Sequence, residues 1–253
     1  MKCLKKRRGK EPTIKPIITK PKPVQEPVPT DANDPLSEYR EIVGDPEINE
    51  ILIVVGHTRK TVGCVAYTKE GEYEFNRKIA EMVKERIEKA DPSKTVVIEY
   101  RDNGGLTGAF KRGNRIKPDL TLELHLNAAT NKAYGTETLV LRGDEDSAEV
   151  AWALSNFIAD EFGFKKRRQY RHSSGKKLVG VKEVGYYKAK WGIKKRERGT
   201  YNLQVARDYT TAPIRILHEP TFVNHNTAES KAIMSPSGRV KYADKLAEFL
   251  LTL

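Results

Sequence analysis

Ile51-Leu52-Ile53-Val54-Val55-Gly56-His57 is an unbroken apolar run that stops on a glycine and a histidine. A short run with no polar alternation reads as a strand buried on both faces, as in a parallel sheet. Two more runs end the same way: Leu120-Thr121-Leu122-Glu123-Leu124-His125 and Ile214-Arg215-Ile216-Leu217-His218-Glu219. In open α/β sheets the loops diverge beyond the carboxyl ends of the strands, so the residues there line a crevice. His57, His125 and Glu219 would therefore share one crevice, and Glu72, which opens an amphipathic segment a short loop after the first strand, reaches the same rim. Two imidazoles and a carboxylate beside a second, free carboxylate form the donor set of a catalytic zinc site.

Outward from these runs the pattern alternates. From Glu72 to Ala90 the period becomes helical, with Phe75, Ile79, Met82, Val83 and Ile87 on one face, and Asp91-Pro92 ends the helix. Thr95 to Tyr100 reads as a strand, Arg101 to Gly105 as a turn, and Leu106 to Ile116 as a short helix. Gly135 to Leu141 is a further strand, Asp146 to Phe162 a helix, and a last helix carries Val240, Ala243, Leu246, Ala247 and Leu250. Strands alternating with helices define an α/β fold: a single domain over residues 47–253 with a mostly parallel central sheet and helices on both faces. Residues 165–198 break the rhythm, being dense in Lys and Arg and interleaved with Tyr170, Tyr186, Tyr187 and Trp191. They read as a long solvated insertion with its own hairpin, or as an aromatic and cationic wall that grips a sugar chain or an anionic polymer.

Residues 1–46 have almost no apolar periodicity and alternate proline with charge, the composition of a disordered basic tail. Lys2, Lys5, Lys6, Arg7, Arg8 and Lys10 supply much of the net charge of +12, which suits an anionic surface. No apolar segment follows these cations and no stretch is long enough to span a bilayer. The expectation is synthesis in the cytoplasm without a signal peptide. Of the two cysteines, Cys3 sits in the tail and Cys64 in the loop after the first strand; both read as free thiols, with Cys64 weighed as a soft zinc ligand and set aside.

These features resemble the zinc-dependent N-acetylmuramoyl-L-alanine amidases of the Amidase_3 type, many of them phage endolysins. The resemblance runs from Ile51 to the C-terminus. It rests on Gly56-His57, Glu72-Tyr-Glu-Phe-Asn76, Arg112 with Asn114 before Asp119, Leu124-His125-Leu-Asn127-Ala128, Gly135-Thr136-Glu137, and Pro213 leading to Leu217-His218-Glu219-Pro-Thr-Phe222. It implies one zinc ion per chain held by His57, Glu72 and His125, with Glu219 as the catalytic carboxylate. Glu74 is the rival third ligand; Glu72 is preferred because the family's ligand lies four residues before the asparagine matched by Asn76. Asn127 or Glu137 would orient a ligand histidine. Thr58-Arg59-Lys60 replaces the family's glycine-rich turn, and His225 stands where an asparagine is common. His218 should face away from Glu219 across its strand, His172 lies in the insertion, and none of the three is assigned to the metal; a substrate contact by His225 stays open as the minor alternative.

The implied chemistry is amide hydrolysis, with zinc as Lewis acid and Glu219 taking a proton from water and returning it to the leaving amine. The implied partner is peptidoglycan, cut between N-acetylmuramic acid and L-alanine by a lysin acting on the wall after release; nucleic acid is not expected. Two alternatives stay open: a non-catalytic wall- or nucleic-acid-binding module, and a zinc peptidase cutting another bond of the stem. Deleting residues 1–46 is expected to weaken cosedimentation with intact sacculi while leaving hydrolysis of small muropeptides unchanged; equal binding would show that the tail does not target the wall.

Overall fold

The computed structural model describes residues 46–130, 132–188 and 194–253. The expected tail lies outside them apart from Pro46, as do Cys3, Trp191 and Gly192. Strand β1 (Glu50–Val55) is followed by helix α1 (Glu72–Ala90), β2 (Thr95–Tyr100), α2 (Gly105–Gly113) with a 3₁₀ turn over Asn114–Ile116, and β3 (Leu120–Leu124). Then come β4 (Glu137–Leu141), α3 (Glu145–Phe162) and five short strands: β5 (Gln169–Arg171), β6 (Lys177–Val179), β7 (Val181–Val184), β8 (Tyr186–Lys188) and β9 (Lys194–Arg196). The chain closes with α4 (Thr200–Tyr209), β10 (Ile214–Glu219), α5 (Ala228–Met234) and α6 (Pro236–Leu251).

The central sheet has the order β2-β1-β3-β10-β4-β7. β2, β1, β3 and β10 are parallel, while β4 runs antiparallel to β10 and parallel to β7. Alternation sorts the apolar side chains of β1 into two layers. Ile51, Ile53 and Val55 join Phe75 and Ile79 of α1, Leu154 and Phe157 of α3, and Tyr242 and Leu246 of α6. Leu52 and Val54 turn the other way, onto Ala109 and Phe110 of α2 and Val205 and Ala206 of α4. Residues 51–55 are wholly excluded from solvent, each such side chain contributing about 1.5–3 kcal/mol relative to exposure.

The structure departs from the sequence reading in two places. The segment 165–198 is not wholly a solvated appendage: β5–β6 and β8–β9 are hairpins, but β7 between them forms an edge of the central sheet, with Val181 and Val184 buried. Only two of its four side chains are buried, so the strand carries no alternation long enough to recognise. The sequence pattern also does not announce helices α4 and α5. In α4 only Leu203, Val205 and Ala206 give an apolar signal, and α5 is a short helix fixed by a capping box between Thr227 and Ser230.

His218 faces the α1/α6 layer, as strand alternation requires, and its ring is fully buried over Tyr242 with centroids 6.2 Å apart. A directed chain runs from His218 Nδ1 to Thr138 Oγ1 (2.7 Å), on to Ser155 Oγ (2.6 Å), and ends on the Gly180 carbonyl (3.0 Å). Because Ser155 donates to that carbonyl, Thr138 donates to Ser155 and His218 donates from Nδ1. Nε2 has no partner, so the ring is held neutral, with burial pushing its pKa down to about 3. The unfolded chain takes up this proton near pH 6.5, so stability is lost as pH falls from there toward 3, by up to about 1.4 kcal/mol per unit. Urea midpoints measured across that window should fall less steeply for His218→Gln than for the unaltered chain; parallel curves would assign the acid sensitivity elsewhere.

Candidate active site

Three strand ends and one helix start build the cleft. Val55 lies opposite Leu124, and Leu124 opposite His218, in one continuous register, so His57, His125 and Glu219 emerge at a common edge. Glu123 and Glu219 share the α2/α4 side with His125, because each is separated from it by an even step or a register match. Helix α1 begins at Glu72, whose carboxylate is 2 % exposed. Asn76, one turn on, donates from Nδ2 to the Leu124 carbonyl (3.1 Å) and so ties the helix to the end of β3.

Glu72 is the centre of the donor cluster. Its Oε2 lies 3.3 Å from His57 Nε2 and its Oε1 lies 2.8 Å from His125 Nδ1. The backbone N–H of Cys64 donates to Oε2 and that of Leu126 to Oε1, both at 2.9 Å. Burial would raise this carboxyl, but hydrogen bonds from His125 and His57, and their charge, hold it well below the usual carboxylate range. One donor atom from each of His57, Glu72 and His125 lies within 4.8 Å of the others, so the cluster could hold a metal ion. Glu74 turns outward to Arg77 (3.1 Å) and takes no part.

The surroundings fit a bound cation. Gly63, in the left-handed region at φ +80°, backs directly on the cluster: a Cβ there would lie 2.5 Å from both Glu72 Oε2 and His57 Cδ2. His57 itself adopts φ 66°, a conformation uncommon outside glycine, which aims its ring into the cleft. The remote nitrogen of His125, Nε2, lies 3.0 Å from Glu123 Oε1, and Glu123 is in turn held by Arg101 and by Asn202 Nδ2 (2.9 Å). Nδ1 shares its proton with Glu72 here, and Arg101 also lies 3.2 Å from Nε2; with a metal in place of the Nδ1 proton, the carboxylate on the outer nitrogen would hold the ligating tautomer. The residue on the outer nitrogen of His125 is thus Glu123; Asn127 and Glu137, expected there, lie beside Glu219 instead. Glu123 stands two residues before His125 on the same strand face, and a lone Glu inside an apolar run was the available signal.

Asn127 and Glu137 instead serve Glu219. Asn127 Nδ2 donates to Glu219 Oε2 (2.7 Å) and to Glu137 Oε1 (2.8 Å), bridging two carboxylates that face each other across the β10/β4 pair. Arg168 (3.3 Å) and Arg167 (3.7 Å) compensate Glu137. Arg198, which sequence reasoning missed, donates to Glu219 Oε1 and to Asn127 Oδ1 (3.1 Å). It leaves the insertion just ahead of α4, where a run of basic residues gave no means of singling it out. Burial raises the Glu219 carboxyl to about 7, Arg198 opposing and Glu137 reinforcing the rise.

The remaining candidates lie apart from this chemistry. Cys64 lines the cleft, but burial and Glu72 push its thiol above its usual range and it stays outside the cluster. His172 bonds Ser174 (2.7 Å) on the first hairpin, and His225 bonds the Ala129 carbonyl (3.0 Å) in the loop after β3. Arg112 pairs with Glu99 (2.7 Å), Asn114 accepts from the Thr211 N–H (2.8 Å), and Asp119 accepts from the N–H groups of Asn49 and Glu50 (2.9 Å), which are structural roles. The cleft encloses about 290 Å³.

A strand-end cluster that could hold a metal ion, in a mostly parallel sheet, is the arrangement expected of an α/β hydrolase with a metal site. The family profile Amidase_3, described as N-acetylmuramoyl-L-alanine amidase, matches residues 51–252. The chain belongs to this family, and its enzyme class is the peptidoglycan amidase. Solved structures agree in fold. An N-acetylmuramoyl-L-alanine amidase from Clostridium difficile 630 has a TM-score of 0.61 at 20% identity, over 81% of this chain and 95% of that one. The catalytic domain of the amidase CwlV from Bacillus (Paenibacillus) polymyxa var. colistinus gives 0.55 at 20%, over 80% and 96%. The catalytic domain of the CD27L endolysin, which targets Clostridia difficile, gives 0.54 at 21%, over 80% and 96%. No curated protein sequence matches the chain.

Removing the carboxylate behind His125 should loosen the cluster. Glu123→Gln is expected to weaken retention of a divalent ion by roughly 10- to 100-fold, measured by chelator competition; unchanged affinity would restrict Glu123 to pairing with Arg101.

Proposed function

We propose that this chain cleaves the amide between N-acetylmuramic acid and L-alanine with one zinc ion held by His57, Glu72 and His125, and with Glu219 as the proton-transferring group. The observation that carries the reading is the contrast between two buried carboxyls at one edge. Glu72 is held ionised by two imidazoles and two backbone amides, as a ligand must be. Glu219 stands outside the donor cluster and is raised to about 7, near the value at which one group serves as both base and acid at neutral pH.

Held by His57, Glu72 and His125, zinc would supply Lewis-acid chemistry to polarise the scissile carbonyl and acidify water. The rest falls to the protein. Asn127 fixes one oxygen of Glu219, leaving the other on Arg198 at the mouth of the cleft. Glu219 Oε1 takes the proton from attacking water and returns it to the nitrogen of the departing L-alanine. Arg198, more than half exposed at its side chain, holds Oε1 until substrate enters. Glu123 keeps His125 in the ligating tautomer throughout. No serine or cysteine nucleophile is needed, and the raised Cys64 thiol stays protonated. Acting on the wall in this way is lytic. No helix among the described residues is long and apolar enough to cross a membrane.

Mass spectrometry of soluble products from digested sacculi tests this. Stem peptides beginning with free L-alanine are expected, lost after chelation and reduced roughly 10²- to 10⁴-fold in Glu219→Gln. Products cut elsewhere in the stem would make the chain a peptidase. Undiminished release by Glu219→Gln would remove that residue from the reaction.

A further inference from the structure

Beyond His57 the cleft continues into a second, wider cavity of about 760 Å³. The two adjoin along the chain: His57 and Arg101 line the first, and the next residues, Thr58 and Asp102, line the second. Its floor is a built turn. Thr61 N–H donates to Thr58 Oγ1 (2.9 Å), the two hydroxyls lie 2.7 Å apart, and Arg59 N–H donates to Asp102 Oδ1 (3.0 Å). The other oxygen of Asp102 accepts from the Tyr73 hydroxyl (3.0 Å). Both oxygens of the cavity's one acid are therefore engaged in holding the turn, and the turn presents Arg59 and Lys60 to solvent.

The cations around the reaction centre differ in how far they are committed. Arg101 is held by Glu123, and Arg198 by Glu219. Arg59 lies beside the Tyr73 hydroxyl and Asp102. Lys60 has no partner among the described residues. Among the cations that line the two cavities, the spare positive charge thus lies on the His57 side, and an anion bound against Arg198 would have to compete with Glu219.

Resting on the proposed amidase reading, the substrate's own chemistry then sets its direction. The lactyl carboxyl of the glycan is consumed as the acyl half of the scissile amide, and the sugars beside it carry no charge. Free carboxylates lie on the amine side, along the stem peptide. We infer that the Arg59–Lys60 cavity is a carboxylate subsite for the stem peptide, and that it orients the substrate with its peptide over His57 and its glycan toward Ala128 and Arg198. A charge-assisted contact of this kind is shorter and stronger than a neutral one and weakens as salt rises.

Titration calorimetry on the full chain, metal-loaded and carrying Glu219→Gln, tests the subsite without turnover. The probes are a muramyl stem peptide with free carboxylates, the same peptide with those groups amidated, and a glycerol-phosphate oligomer as the other anionic wall component. The free-carboxylate peptide is expected to bind about tenfold more tightly than its amide. Lys60→Gln should narrow that gap, and Arg59→Gln with Lys60→Gln should close it at an unchanged thermal midpoint. Equal binding of the two peptides, a gap that survives both substitutions, or binding of the phosphate oligomer alone would each overturn the subsite. If the preference holds but unaltered protein releases no stem peptide from sacculi, the subsite stands and the amidase reading falls.

Discussion

Parallel register among β1, β3 and β10 is the constraint on which the site depends. Val55, Leu124 and His218 lie side by side, so the residues just beyond them reach one edge without any long loop to aim them. A slip of one residue in β3 would send Glu123 and His125 into the apolar layer of α1 and α6. Their desolvation without partners would then oppose folding. The apolar side chains of these strands, buried on both faces, hold the register that the chemistry requires.

On that edge the protein separates two acids that are chemically alike. Glu72 sits at the start of a helix and receives four donors, so its buried charge is compensated. Glu219 receives Asn127 and Arg198 but faces Glu137 across the antiparallel pair. Burial acts on both; the neighbours decide the outcome. The reversed direction of β4 matters here, because it brings the start of one strand to the end of another and so sets two carboxylates against each other.

Long apolar runs and strong helical periods made the central strands, α1, α3 and α6 legible in the sequence, and the four candidate residues could be singled out because each stands where such a run ends or begins. Glu74 could be set aside only by spacing, and the structure shows it paired with Arg77 on the outer face. What escaped were features whose signal is tertiary. β7 is four residues long and half polar, α4 has three buried apolar or small side chains beyond its first residue, and Arg198 is one cation among many until its distance to Glu219 is known. Asn127 and Glu137 were recognised as supporting residues but given to the wrong partner, since sequence order does not reveal that β10 separates β3 from β4.

The placement of Arg198 also bears on how such a chain can diversify. The hairpins of segment 165–198 are flanked by fixed points: Thr136 pairs with Lys166 where the segment begins, and Gly199, whose added Cβ would lie 2.5 Å from Leu139, anchors it where it ends. Between these points the exposed turn residues 173–176 of β5–β6 are free to vary, whereas Tyr170 and Leu178, buried in the main core, and β7 on the sheet must keep their places. The exit residue is not free in this way. Variation at that turn is thereby uncoupled from Glu219 and from the Arg198 side chain that holds it.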